Sequence, residues 1–207
     1  NVDARHVACW VQGMYDPNTG NRLLMVPADE IASVRLGNQN AGSQAERITY
    51  EFNVQDDLVL LMKYAVVLEN PGHGEAYDPY FGLEILKEDG TPISQYACGE
   101  AFFSPSKDPE EWKTYSPSLG VKFVWKDWTT IAINLGKYHG KSLKIRLTTL
   151  DCSLGGHYGY AYFTLGCNDG KIKGLSCAGD SETIFEGPEG FNYRWYRVRD
   201  NKTVCKT

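Results

Sequence analysis

The chain has 207 residues, 42% hydrophobic and 13% aromatic, with 21 lysines and arginines against 26 aspartates and glutamates for a net charge of -5. That length buries a core without help from metals or cross-links, and the composition excludes wholesale disorder. The acidic balance, without a sustained basic run, excludes the electrostatic footprint of a nucleic-acid binder, and the longest apolar stretch, 58–68 broken by Lys63, is shorter than the ~20 residues of a membrane helix.

The first residues, Asn1 to Arg5, are polar and no apolar run follows, so no secretory leader is expected in the sequence as given; the chain reads as cytosolic or as an already processed exported piece. A turn signal, Asp16-Pro17-Asn18-Thr19-Gly20, precedes the first alternating run. From Arg47 to Val54 the apolar set is Ile48, Tyr50, Phe52 and Val54, a period of two that predicts a half-buried strand. Leu58 to Leu68 is nearly continuous in apolar residues and suits a central strand covered on both faces. Phe81, Leu83 and Ile85 alternate again, and Asp89-Gly90 before Pro92 predicts a tight hairpin with a primed turn. Ser104 to Leu119, with three prolines and clustered charges, reads as a long surface loop. Three further alternating sets follow: Ile131, Ile133, Leu135; Leu143, Ile145, Leu147; and Tyr158, Tyr160, Tyr162, whose spacing is that of inward-facing residues.

This pattern, punctuated by turns and lacking a long 3.6-residue period, predicts an all-β, antiparallel β-sandwich of the jelly-roll kind. After Cys167 the polar link Asn168-Asp169-Gly170-Lys171 introduces a new pattern, Cys177, Trp195 in a short strand, then Cys205, the order of the first strands of an immunoglobulin-like sandwich. The expected organisation is therefore a sandwich domain over 1–168 and a partial immunoglobulin-like segment over 169–207, the whole being part of a longer polypeptide.

Six cysteines, Cys9, Cys98, Cys152, Cys167, Cys177 and Cys205, are even in number, scattered, and free of Cys-x-x-Cys pairs. They are disulfide candidates, which favours an oxidising, extracellular setting; the alternative is six free thiols packed as small hydrophobes.

Catalytic constellations are sparse. Asp151, Ser153 and His157 are close in sequence, yet no Gly-x-Ser-x-Gly elbow is present, and Asp151 and Ser153 are expected to satisfy backbone groups in a turn. Paired carboxylates such as Glu110-Glu111, or Glu69 with Glu84, have no spacing that fixes them across a cleft. His6, His73, His139 and His157 show no two-His spacing on one element, so no metal site is assigned. Asp56, Asp57, Glu69, Glu75, Asp78 and Asp151 leave room for a structural calcium, and no other cofactor is expected. Tyr77, Tyr80, Trp112 and Trp125 are the candidate contacts for a glycan, since aromatic faces stack on the apolar CH surface of sugar rings.

The runs Asp127 to Leu135, Tyr138 to Thr149 and Asp151 to Tyr162, with Ser33 to Asn38 and Tyr64 to His73 upstream, resemble a jelly-roll region of large Bacteroidetes cell-surface proteins, a group that includes gliding-motility adhesins and other type IX secretion cargo. Gly187 to Tyr196 is similar to the start of the immunoglobulin-like or PKD-like modules that follow in such proteins. The resemblance implies a non-catalytic, extracellular module at the cell surface, serving adhesion or spacing, with a surface glycan or another cell-surface protein as partner. The alternative is a carbohydrate-binding module that targets an attached enzyme to a polysaccharide; a secreted hydrolase is the third reading.

Overall fold

The computed structural model describes residues 4–55, 59–93, 100–107, 109–168, 171, 173–175, 184–187, 192–197 and 202–206. Among these the chain is all-β, with strands β1 (His6–Cys9), β2 (Ser33–Leu36), β3 (Ala45–Asn53), β4 (Val59–Glu69), β5 (Tyr80–Lys87), β6 (Glu100–Phe103), β7 (Lys113–Ser118), β8 (Val121–Asn134), β9 (Ser142–Leu150), β10 (Gly159–Asn168), β11 (Lys173–Leu175), β12 (Ile184–Glu186), β13 (Arg194–Arg197) and β14 (Lys202–Lys206). Ten of them form two antiparallel sheets, ordered β1-β2-β10-β4-β8-β7 and β3-β9-β5-β6, and the two sheets make the expected sandwich.

Period-two patterning explains the packing. Phe81, Leu83 and Ile85 of β5 and Leu143, Ile145 and Leu147 of β9 meet Leu60, Met62, Tyr64, Val66 and Leu68 of β4 in one buried cluster. Each such side chain contributes about 1.5–3 kcal/mol on leaving water. The intervening β4 residues Ala65 and Val67 are buried as well, in a second cluster with Leu23, Trp125, Tyr160 and Tyr162. A strand covered on both faces is what its nearly continuous apolar run predicts. Lys63, the one charge in that run, reaches the carboxylates of Asp29 and Glu30.

The cover over the second face comes from residues 10–32. A 3₁₀ turn, Pro17–Thr19, is capped by Asp16, which accepts from the Asn18 N–H at 2.8 Å. Leu23 enters the cluster, Trp128 Nε1 donates to the Leu24 carbonyl at 2.8 Å, and the Arg22 guanidinium lies 4.7 Å from the Trp125 ring centre. Asp16 itself is buried, and its carboxylate accepts from Tyr160 Oη at 2.8 Å and Tyr162 Oη at 2.8 Å. Burial pushes the Asp16 carboxyl above the usual range, while the tyrosine donors, the Asn18 N–H and the Arg35 charge pull the other way. The tyrosine stripe of β10 is thus a core stripe, but its core lies beneath this flap and not between the sheets.

Three sequence expectations change. Residues 113–118, read as loop, form edge strand β7 against β8, and Pro117 sits at the break in pairing between Tyr115 and Ser118, where a missing N–H is tolerated. The turn at Asp89-Gly90 is not a primed turn: only Gly90 has positive φ, at 82°, and the Asp89 carboxylate instead accepts from Thr91 N–H at 2.9 Å and its hydroxyl at 2.6 Å. This is the longer hairpin loop in which a left-handed glycine follows an ordinary turn. Finally, Cys9 and Cys152 are free thiols, so the bridging of all six cysteines is not realised. Neither has a sulfur partner among the described residues; Cys98 and Cys177 lie outside them, as do Asp56 and Asp57 of the calcium set.

Beyond the sandwich, β11 pairs with β12 and β13 with β14. Trp195 stands opposite Cys205, and its ring packs on Phe185 at 5.7 Å and Tyr193 at 6.0 Å between centres.

Candidate functional site

Phe81, Leu83 and Ile85 face the core, so the intervening residues of β5 emerge on the outer face of the four-stranded sheet. There the register sets Gly82 opposite Phe102 of β6 and Thr148 of β9. A Cβ on Gly82 would lie 3.0 Å from the Phe102 ring and 3.1 Å from the Tyr80 ring. The missing side chain lets these two rings, 6.5 Å apart between centres, settle over the strand as a tilted pair. They line a recess of about 210 Å³ together with Phe103, Glu75, Ser104 and Lys107. Phe102 is 43% exposed, so its ring remains accessible from outside.

Polar groups surround this aromatic floor. Ser104 is buried and its hydroxyl makes no hydrogen bond among the described residues. Asp78 is buried too; one carboxylate oxygen accepts from the Ser106 N–H at 3.0 Å, and the other has no partner among the described residues. Further along the same sheet face, Arg146 lies 3.6 Å from Glu84, and Arg47 Nε donates to Thr148 Oγ1 at 3.2 Å. The arrangement offers an apolar ring surface beside donors and acceptors, suited to a ligand with both characters.

Of the four sequence candidates, Tyr80 lies in this recess, and Tyr77, 47% exposed, is on the adjoining loop 70–79. Trp112 and Trp125 are buried in the two cores at 7% and 0% exposure, which leaves neither ring a face for a sugar. Trp112 stands edge-on to Phe103 and donates its Nε1 to the Lys107 carbonyl at 2.9 Å, so it supports the recess from behind. Phe102 and Ser104 were not singled out by sequence. A glycine between Phe81 and Leu83, paired with Phe102, is the signal, and it becomes one only once the pairing of β5 with β6 is known.

A second cluster gathers at the adjoining end. His73, on the loop after β4, and Cys152 and His157, on the loop between β9 and β10, present ligand-type atoms all within 4.8 Å of one another. Cys152 Sγ lies 3.7 Å from His73 Nδ1, and the two imidazoles meet edge to face at 5.1 Å between centres. Spacing along one element gave no hint of this group, because its members come from loops 79 residues apart. Beside it, Asp151 accepts from the Gln44 N–H at 3.0 Å, a backbone group on a distant segment and not one in its own turn as the sequence suggested. Desolvation pushes its carboxyl up to about 6, against the pull of that N–H.

No protein-family model matches the chain, and no curated protein matches it. Among solved structures that match, TmCBM61 in complex with β-1,4-galactotriose is 13% identical, with 79% of this chain and 83% of that chain covered at a TM-score of 0.35. Caldicellulosiruptor saccharolyticus CBM27-1 in complex with mannohexaose is 12% identical, with 75% and 78% covered at 0.36. The enzymatically active domain of bacteriophage CBA120 tailspike protein 4 is 8% identical, with 81% of this chain and 20% of that chain covered at 0.32. Likeness at this level assigns the chain neither a family nor a ligand, and the resemblance to Bacteroidetes surface proteins rests on the sequence motifs alone.

Proposed function

We propose that the sandwich is a carbohydrate-binding module that holds a sugar ring on the Tyr80–Phe102 floor. The observation that carries this reading is the pair of rings laid over Gly82 and bordered by Glu75, Ser104 and Lys107. The apolar CH face of a pyranose stacks on the rings, and its hydroxyls exchange hydrogen bonds with the carboxylate, hydroxyl and ammonium at the border. At about 210 Å³ the recess is smaller than the roughly 300–1,000 Å³ of drug-sized sites and suits one sugar unit, with the rest of a chain running along the sheet face toward Arg146 and Glu84. Residues 1–168 are the binding unit in this reading, and 169–207 a separate segment, because β11 to β14 pair only among themselves among the described residues. The finer setting, an extracellular module of a large bacterial surface protein with a surface glycan as partner and no catalysis of its own, follows from the sequence motifs.

The test is a glycan array probed with the full chain, with Phe102→Ala and Tyr80→Ala alongside and folding verified by circular dichroism. Loss of one stacking ring is expected to weaken binding roughly five- to tenfold, about 1 kcal/mol. Absence of any glycan binding by the folded chain, or binding untouched in both variants, overturns the proposal.

A further inference from the structure

We infer that His73, Cys152 and His157 form a binding site for one divalent ion of the zinc class. A thiolate and two imidazoles are the donor set that zinc and its neighbours prefer, whereas calcium and magnesium take oxygen ligands. The spacing agrees. Zinc bonds of about 2.3 Å to sulfur and about 2.0–2.1 Å to nitrogen, at a tetrahedral angle, separate the two ligand atoms by about 3.6 Å. Cys152 Sγ and His73 Nδ1 are 3.7 Å apart, and the whole set falls within 4.8 Å. His157 supplies the second observation: its Nδ1 is buried and has no hydrogen-bond partner among the described residues. A buried ring nitrogen in that condition costs free energy unless something binds it.

The backbone holds the group in place. Cys152 N–H donates to the His157 carbonyl at 3.0 Å, closing their loop, and Ser153 N–H donates to the Tyr77 carbonyl at 3.3 Å, fastening that loop to the one bearing His73. Three protein ligands leave a fourth position, and because His73 is exposed that position opens to water. On binding, the Cys152 thiol gives its proton to solvent and its sulfur donates a lone pair to the ion; nothing is oxidised or reduced. The ion ties together the β4–β5 and β9–β10 loops, and the first of these carries Glu75 to the edge of the aromatic recess. The site stands independently of what that recess binds.

The test is titration of the reduced full chain with Co²⁺, read by its absorption spectrum and followed by displacement with Zn²⁺. One Co²⁺ per chain is expected, with a thiolate-to-cobalt charge-transfer band in the near ultraviolet and intense visible bands of tetrahedral coordination, both erased by one equivalent of Zn²⁺. His73→Ala, at an exposed position, and His157→Ala are each expected to weaken binding at least tenfold, about the smallest effect of disturbing a metal's surroundings. Cys152→Ser removes the charge-transfer band, and His139→Ala changes nothing. A folded, reduced chain that takes up no Co²⁺, or uptake that survives in both histidine variants, overturns the inference.

Discussion

On one face of β4, Leu60, Met62, Tyr64, Val66 and Leu68 meet the apolar side chains of the second sheet; on the other, Ala65 and Val67 lie beneath a flap whose centre is a carboxylate. The inter-sheet core is held by area, which is non-directional and tolerant of small changes in shape. The flap core is held by a few aimed contacts on Asp16, from Tyr160, Tyr162 and Asn18, and by the indole of Trp128 on the Leu24 carbonyl. Two cores on one strand therefore fail differently: the first in proportion to the volume removed, the second all at once when its acceptor is lost.

The largest effect is expected from the inter-sheet core. Phe81, fully buried and stacked 6.2 Å from Phe103, is expected to cost about 3–5 kcal/mol as Phe81→Ala, measured by urea unfolding. Next comes Asp16→Ala, which leaves two buried phenols and the Asn18 N–H without their acceptor. At about 1–3 kcal/mol for each stranded group, partly offset by removal of a buried charge, a net loss of about 2–4 kcal/mol is expected. A discriminating readout is tryptophan fluorescence: Asp16→Ala is expected to expose Trp125 and Trp128 at denaturant concentrations where the inter-sheet core stays folded. Coincident loss of both cores would erase the distinction between them.

The two cores also differ in how far the sequence announces them. Alternation in β3, β5 and β9 and the nearly continuous run in β4 are direct images of sheet geometry, so the sandwich is legible from them. The Tyr158, Tyr160, Tyr162 stripe announces burial without saying against what, since period two does not distinguish the two faces of a sheet. Its partner, the Asp16-to-Gly20 turn, lies more than a hundred residues away and reads only as punctuation. Trp112 and Trp125 mislead for a related reason: an exposed stacking platform and a buried strand residue use the same side chain. The aromatic recess and the Cys152 cluster depend on which loops end up adjacent, and that follows from sheet order, which pairing alone establishes.

A smaller effect probes the edge of the flap. The Arg22 guanidinium sits over Trp125 at 4.7 Å and over Tyr115 at 5.6 Å, and Nε donates to the Thr19 carbonyl at 2.9 Å. Arg22→Ala is expected to lower stability by about 0.5–1 kcal/mol, with little recovered in Arg22→Lys, because an ammonium cannot both stack as a plane and donate in that direction. Equal stability of the alanine and wild-type chains would reduce this contact to surface decoration and leave the hydrogen bonds as the whole support of the flap.

Asp16→Asn is the gentlest change, since it keeps the shape and removes only the charge. Tyrosine hydroxyls accept as well as donate, so the amide finds partners where the carboxylate did. Burial raises the folded-state pKa of Asp16 above that of the unfolded chain, so over the intervening pH range the unfolded state holds fewer protons than the folded one. The favourable contribution of Asp16 is then complete below about pH 3.9 and is lost as the pH rises through its folded-state value. Other carboxylates titrate alike in both proteins and cancel in the difference. Asp16→Asn is therefore expected to gain on the wild type steadily from acid toward neutral pH, reaching a plateau once the wild-type carboxylate is fully ionised, as urea midpoints across that range will read. A difference that stays flat with pH would mean that the tyrosine donors and Arg35 balance the cost of burial, and that the flap is organised around a fully accommodated charge.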